Sequence, residues 1–415
     1  MNYEELCGKS ILLLGKTRAL NMEEFDTLLK LHKIVRLSSY TDDVSLIIEG
    51  RMMNPYEQGE SARLYETQTV PIVELSSVEK WLCRSIEPNR LLMSLKLSRN
   101  QERLVDFLQN PYITDELFFK LLKLYDWQNE GLFDNDSNRD VTAAIIGRFY
   151  IDLDRNHNVQ YAMSGLAHLI ERYGNRELIN AIVELSPIAN EIKNPKDRSL
   201  NGVLDAIALH PDTDEAILRL LLQERAVLLA HREPLSLESE LLGLNRDDVN
   251  EILAQNHSLS PYGVVQLESA YPHLIASKTL LDEDRFARLK EQYAPDLGSN
   301  PSLSSVMQEK LFALGEDTVL KALASNPVTK KEILDRLFES GQFSASLASN
   351  PSLSGDKLGS LAAISDAEVL SALAANTSTP IETLYQLSLD RRFERAVKTN
   401  PTFGKHIQTH NIGWF

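Results

Sequence analysis

Apolar positions in the first ninety residues fall into two kinds of run. The first kind is short and nearly continuous: GKSILLLG (Gly8–Gly15), KIVRLS from Lys33, VSLIIEG from Val44 and VPIV from Val70. Runs of that length bounded by glycine, proline or charge predict buried strands. The second kind has helical spacing. NMEEFDTLLKLH sets Met22, Phe25, Leu28, Leu29 and His32 on one face, with Asn21 as cap and Glu23 and Glu24 in the first turn. GESARLYETQ from Gly59 and SSVEKWLC, capped by Ser76 or Ser77, predict two more helices. The resulting order, β-α-β-β-α-β-α, predicts a small parallel sheet covered by helices.

Beyond residue 90 the pattern is helical, and in the last third it repeats. SNPSLSSVMQEKL from Ser299, SNPVTKKEILDRL from Ser325 and SNPSLSGDKLGSL from Ser349 are variants of one phrase. Asparagines at 300, 326, 350, 376 and 400 are spaced 26, 24, 26 and 24 residues. The helix-cap candidates Ser304, Thr329, Ser354 and Thr379 are 25 residues apart, and Gly404 holds the next equivalent position. Each unit reads as a short helix carrying Leu323, Leu347, Leu373 or Val397, an Asn-Pro stop, a hydroxyl cap and a second helix. Thr329 with Glu332, and Thr379 with Glu382 around Pro380, have capping-box spacing. The second helices are expected to bury Leu311 and Leu314, Ile333 and Leu337, Leu358 and Leu361, and Leu384 and Leu387. Asparagine and proline are turn chemistry here, so recognition is expected at positions that differ between copies, such as Gln308, Lys331, Asp356 and Ile381. Looser copies start at Val249 (with Ser260 as cap and Pro261 after it), Ile207 and Phe107. They mark residues 91–297 as irregular, longer units, with a polar insertion at 126–140 and a proline-containing loop near Asn194. No unit can bury its apolar side alone, so units of this kind stack into a solenoid.

The opening GKSILLLGK, the strand VSLIIEG, the small-residue helix around Ala62, VPIV and the closing helix with Trp81 resemble the BRCT domain, over residues 8–84. A flavodoxin-like fragment is the structural rival. The resemblance implies a binding module for phosphopeptides, partner proteins or DNA ends. Phosphate-binding members place Ser or Thr before the glycine that follows the first strand, and here Leu14 stands there. Where they carry a lysine on the second helix, this chain offers Ser61, Arg63 and Leu64. Residues 298–410 resemble the leucine-rich-repeat variant, a relative of HEAT-like repeats. The fold expected is thus a small α/β domain (1–90), an irregular helical region (91–297) and regular 25-residue repeats (298–415), the helical part forming an all-α right-handed superhelical solenoid.

Charge narrows the partner. The net charge of −16 divides into −3 over residues 1–90 (11 basic, 14 acidic), −1 over 298–415 (11 basic, 12 acidic) and the remaining −12 over 91–297. Non-specific nucleic-acid binding needs a basic face, and no domain is basic overall, so other proteins are the expected partners and nucleic acid is not favoured. There is no apolar run long enough for a membrane span and no apolar signal core at the start, which with only Cys7 and Cys83 predicts a cytoplasmic chain with two reduced thiols.

Motifs that carry chemistry fail on inspection. Gly15-Lys16-Thr17 lacks the earlier glycine of a phosphate-binding loop, Ser10 standing in its place. DNDSNRD from Asp134 and DLDRNHN from Asp152 lack the glycine and glutamate of a calcium loop, and His406 with His410 has no accompanying HExxH glutamate. No cofactor, metal or catalytic residue is expected. The residues expected to touch an anion or partner are Lys16, Arg18 and Arg63 in the first domain and Arg391, Arg392, Arg395 and Lys398 in the last repeat, where Lys405 adds a further cation and Trp414 and Phe415 end the chain. The expected function is a non-enzymatic adaptor, one partner on the first module and another on the solenoid, in DNA maintenance or defence. The alternative is a DNA-binding helical-repeat protein or glycosylase-like repair enzyme, for which Asp126-Trp127 is the pair to inspect.

Overall fold

The computed structural model describes residues 3–67, 70–151, 157–196 and 198–410. The chain is 63% helical, and the only sheet among the described residues ends at Glu74. The elements β1 (Ser10–Leu14), α1 (Met22–Leu31), β2 (Val35–Leu37), β3 (Val44–Glu49), α2 (Pro55–Thr67), β4 (Ile72–Glu74) and α3 (Leu75–Arg84) follow in the order read from the sequence. All pairings are parallel, in the order β2-β1-β3-β4. Leu12, Leu14, Val44 and Ile47 form one buried cluster with Leu64 of α2. The alternating residues Ile11, Leu13, Leu46 and Ile48 are buried too, on the side where α3 packs on β3 and α1 on α3. Asn21 caps α1 by accepting from the Glu24 N–H at 2.9 Å. Ser76 and Ser77 do not cap α3: β4 runs directly into that helix and leaves both serines inside its first turn. Trp81 lies outside the core, its ring 4.5 Å from that of His32 and 5.6 Å from that of Tyr3.

The chain divides into two compact units, Met1–Leu221 and Leu222–Phe415. The first continues with α4 (Pro88–Ser98), α5 (Gln101–Gln109), α6 (Asp115–Leu122), α7 (Asp136–Phe149), α8 (Met163–Tyr173), α9 (Arg176–Val183), α10 (Ser186–Lys193) and α11 (Asn201–Leu209). The division falls inside α12 (Glu215–Ala230), whose helical backbone breaks at Arg225. The last third of the insertion expected at 126–140 is helix, because Asn135 caps α7 by accepting from the Asn138 N–H at 2.8 Å. Residues 152–156 of the DLDRNHN stretch lie outside the described residues, as do Trp414 and Phe415.

The second unit holds α13 (Glu238–Gly243), α14 (Asp247–Leu253), α15 (Pro261–Leu267), α16 (Pro272–Lys278), α17 (Glu283–Gly298), α18 (Ser305–Phe312), α19 (Asp317–Ser325), α20 (Lys331–Ser340), α21 (Ser344–Ser349), α22 (Gly355–Leu361), α23 (Ala367–Ala375), α24 (Ile381–Ser388), α25 (Glu394–Thr399) and α26 (Pro401–Thr409). α17 kinks at Tyr293, two residues before Pro295, as a proline inside a helix requires. From there the units are regular: α17, α19, α21, α23 and α25 pack each on the next, and each also packs on the helices beside it in sequence. Leu323, Leu347, Leu373 and Val397 are at most 1% exposed, each worth about 1.5–3 kcal/mol of apolar burial.

The repeated asparagine does more than turn the chain. Asn256, Asn300, Asn326, Asn350, Asn376 and Asn400 are all buried. Each directs its side-chain Nδ2 to two backbone carbonyls of the preceding unit, at 2.8–3.0 Å: Asn350 donates to Ala324 O and Asn326 O, Asn376 to Ala348 O and Asn350 O, Asn400 to Ala374 O and Asn376 O. Each Oδ1 accepts from the N–H two residues on. One buried amide thus closes its own turn and ties it to the turn before. The backbone at Asn326, Asn350, Asn376 and Asn400 is extended (Asn350 φ −83°, ψ 115°) and not left-handed. A following proline favours that region at Asn326, Asn350 and Asn400, and Asn376 adopts it before Thr377. A second ladder runs beside it. The hydroxyls of Ser352, Ser378 and Thr402 donate to the carbonyls of Pro327, Pro351 and Thr377.

Four expectations change. Thr329 and Thr379 are not caps: their helices start two residues later, and the hydroxyls donate back to Leu323 O and Leu373 O at 2.7 Å, closing the helix that has just ended. Ser304 and Ser260 do cap, accepting from the N–H groups of Met307 and Gly263. Gly404 lies inside α26, which Asn400 caps directly. Leu314 is 37% exposed, because α18 has already ended at Phe312. Gln308 is buried and not a recognition residue: it bonds Leu303 O, Val328 O and the Lys330 N–H, bridging two units next to Val328, where the second ladder has no hydroxyl.

Candidate interaction surfaces

In an open parallel sheet, ligands favour the crevice at the carboxyl ends of strands where the strand order reverses. Here that point lies between β1 and β3, and it carries Gly15, Lys16 and Arg18. The crevice is closed. The Lys16 N–H donates to Arg51 O at 2.7 Å and the Arg51 N–H to Lys16 O at 2.8 Å, so the two strand ends stay paired. Gly15 has φ +92°, and a Cβ there would lie 2.6 Å from Arg51 O, so this junction requires glycine.

The backbone donors at this point already hold anions of the chain's own. Glu57 Oε1 accepts from the Gly15 N–H at 3.1 Å, while its Oε2 accepts from Asn54 in a capping box at the start of α2. Glu79, on α3 and fully buried, accepts from three consecutive N–H groups, Arg18, Ala19 and Leu20, at 2.9, 2.9 and 3.2 Å. An outside anion would find the side chains of Lys16 and Arg18, both exposed, and no free amide at Gly15 or at residues 18–20. Arg63 is exposed on α2 and pairs with Glu60 at 3.2 Å. Lys16 and Arg18 therefore belong to a loop that is satisfied from within, and Arg63 is matched on its own helix.

The first unit carries a version of the asparagine device at Asn110. Asn110, after α5, donates to Ala19 O at 2.8 Å, and its Oδ1 accepts from the Tyr112 N–H. It also donates to Cys83 Sγ at 3.3 Å. The helical region is thereby tied to the same loop that Glu79 holds. Burial pushes the Cys83 thiol up to about 11, with Glu79 adding to the rise against the Asn110 hydrogen bond, so it stays protonated at neutral pH. At His210 the imidazole replaces the amide: its Nδ1 accepts from the Asp212 N–H at 3.2 Å.

In the last repeat, local pairing removes half of the expected patch. Arg392 pairs with Asp390 at 2.7 Å and Lys398 with Glu394 at 2.6 Å. Arg391 and Arg395 are exposed and make no ion pair among the described residues. His406 and His410 stand 4.2 Å apart, with His410 Nδ1 against His406 O. Asp126-Trp127 forms a turn: the Asp126 carboxylate accepts from the Gln128 N–H, and the indole is 3% exposed with Tyr125 at its edge, 5.0 Å away.

Sequence reasoning missed a groove of about 340 Å³ beside α4, lined by Leu28, Leu31, Ile86, Arg90, Leu91 and Phe107 among others. Its signal was present in residues 84–99, where four basic side chains accompany one acidic one in a strongly acidic chain. No protein family, curated protein or solved structure matches this chain.

Proposed function

We propose that the chain is a non-enzymatic interaction scaffold. A BRCT-like module (residues 1–90) would hold one partner. The leucine-rich-repeat-variant, HEAT-like units (irregular over 91–297, regular over 298–415) would form a right-handed solenoid that holds another, in DNA maintenance or defence. The observation that carries this reading is the asparagine ladder. It concentrates the invariant residues in the interior and leaves the outward positions free to differ, which is how repeat arrays build long binding surfaces. The all-parallel β2-β1-β3-β4 sheet is the support for the first module.

The test is affinity capture from host cells with the full-length chain and two charge-reversed variants, Lys16→Glu with Arg18→Glu, and Arg391→Glu with Arg395→Glu. Each pair should lose a different set of bound proteins at unchanged melting temperature. Capture of one and the same set by all three overturns the reading. Binding of duplex DNA that weakens steeply with salt would favour the nucleic-acid alternative.

A further inference from the structure

Several cations of the first unit sit against a carboxylate. Arg36 forms two bonds to Asp26 (2.6 and 2.7 Å), and Arg103, Lys120, Lys123, Arg139 and Arg148 are paired likewise. The stretch from the end of α3 to the end of α4 instead collects four cations close together in sequence. Arg84, Arg90, Lys96 and Arg99 are exposed, and none makes an ion pair among the described residues. Only Glu87 opposes them in that stretch.

The same stretch exposes apolar side chains. Met93 is 60% and Leu97 78% exposed, and Leu31, at the end of α1, is 51% exposed. At 100° per residue, Met93 and Leu97 lie on the outer face of α4 between Lys96 and Arg90, while Leu91 and Leu95 face inward and are buried. Arg90 and Ser94 form the lip of the 340 Å³ groove, whose apolar lining is Leu28, Leu31, Ile86, Leu91 and Phe107. Across it, Glu24 is already matched by Arg103, which Ser94 also holds. An apolar strip between the unmatched cations Arg90 and Lys96, with an apolar groove at its side whose lining carries Glu87 as well as Arg90, has its complement in an acidic partner with apolar anchors.

We propose that α4 and the adjoining groove dock an acidic amphipathic helix of a partner protein. Its aliphatic residues would enter the groove and cover Met93 and Leu97, and its flanking carboxylates would meet Arg90, Lys96 and Arg99. The apolar anchors separate this from a polyanion site, which needs charge without them. The inference rests on the reading of the chain as an interaction protein and names the class of partner on its first unit.

The probe is a short fluorescein-labelled synthetic helix with leucines at i, i+3, i+4 and i+7 and glutamates beside them, followed by fluorescence anisotropy with the full-length protein. Comparison probes are the same helix with lysine for glutamate, oligo-dT, and phosphatidylserine–phosphatidylcholine vesicles. The acidic helix should bind best and weaken with salt. Arg90→Glu with Lys96→Glu, and separately Met93→Ser with Leu97→Ser, should each weaken it by about tenfold or more. All four positions are exposed, so the variants should melt as the parent does. Failure of the acidic helix to bind, equal binding of the basic helix, preference for oligo-dT or vesicles, or indifference to both variants overturns the proposal. If the acidic helix fails while Arg391→Glu with Arg395→Glu still strips captured proteins, the scaffold reading survives and this docking site does not.

Discussion

Replacing Asn350 by aspartate separates two accounts of the repeated asparagine. If the residue is there only to turn the chain, aspartate should serve nearly as well, since both side chains accept from a backbone N–H two residues on. In the structure the amide nitrogen is the larger part of the contact. Asn350 is 0% exposed, donates to Ala324 O at 2.8 Å and Asn326 O at 2.9 Å, and accepts from the Ser352 N–H at 2.8 Å. Asn350→Ala removes all three bonds. Asn326 O keeps the Thr329 N–H at 3.1 Å, so about two groups lose a partner, at about 1–3 kcal/mol each, for a total of about 4 kcal/mol. Asn350→Asp keeps the Ser352 bond but turns a carboxylate oxygen toward two carbonyls, so it should be worse than alanine by about 1 kcal/mol or more. Because the chain has two units, a single global transition is the wrong measure. Urea titration followed by hydrogen exchange of peptides spanning α21 and α22 reads the local loss. An aspartate variant within about 0.5 kcal/mol of the parent would refute the ladder account and restore the turn account.

Three further outcomes follow from named contacts. Val328→Thr restores the missing hydroxyl of the second ladder at a 40% exposed position, and should stabilise residues 300–350 by about 0.5–1 kcal/mol in the same exchange experiment. Glu79→Ala orphans the three N–H groups of residues 18–20, and should speed their exchange and lower the melting temperature, with a cost of about 3 kcal/mol or more; unchanged exchange there would show that Glu79 does not hold the loop. Maleimide should label exposed Cys7 at neutral pH and leave Cys83 untouched until denaturant is added. The Cys83 thiol is raised to about 11 in the folded chain, against an unfolded value of about 8.5. Its contribution to stability is therefore complete below about pH 8.5 and lost as pH rises toward 11, which a pH series of urea midpoints of the parent against Cys83→Ala checks.

Much of the fold was legible because local chemistry and global fold agree in it. The β-α-β-β-α-β-α order was readable since each strand is a short apolar run and each helix shows its spacing. The 25-residue period was readable since buried leucines and Asn-Pro breaks recur at fixed intervals. Helix starts were less legible. Thr329 and Ser304 occupy the same position of the period and look alike as caps, yet one hydroxyl turns back to the ending helix and the other forward to the starting one. That choice depends on which backbone group the next unit leaves open, and periodicity does not carry it.

The sequence by itself determined where the chain turns, which side of each helix is buried, and that the units must stack. Only the tertiary structure decided what the asparagines are for. The two carbonyls that each one satisfies belong mainly to residues 24–28 positions earlier in the chain, so the partner exists only once two units have packed. The same holds at the edge of the sheet, where Glu79 reaches amides about 60 residues away and fills, from inside the chain, the donors that an external anion would need. Hydrogen-bond partners distant in sequence leave no local pattern, whereas hydrophobic spacing does. That is why the scaffold was readable in the sequence and its stitching was not.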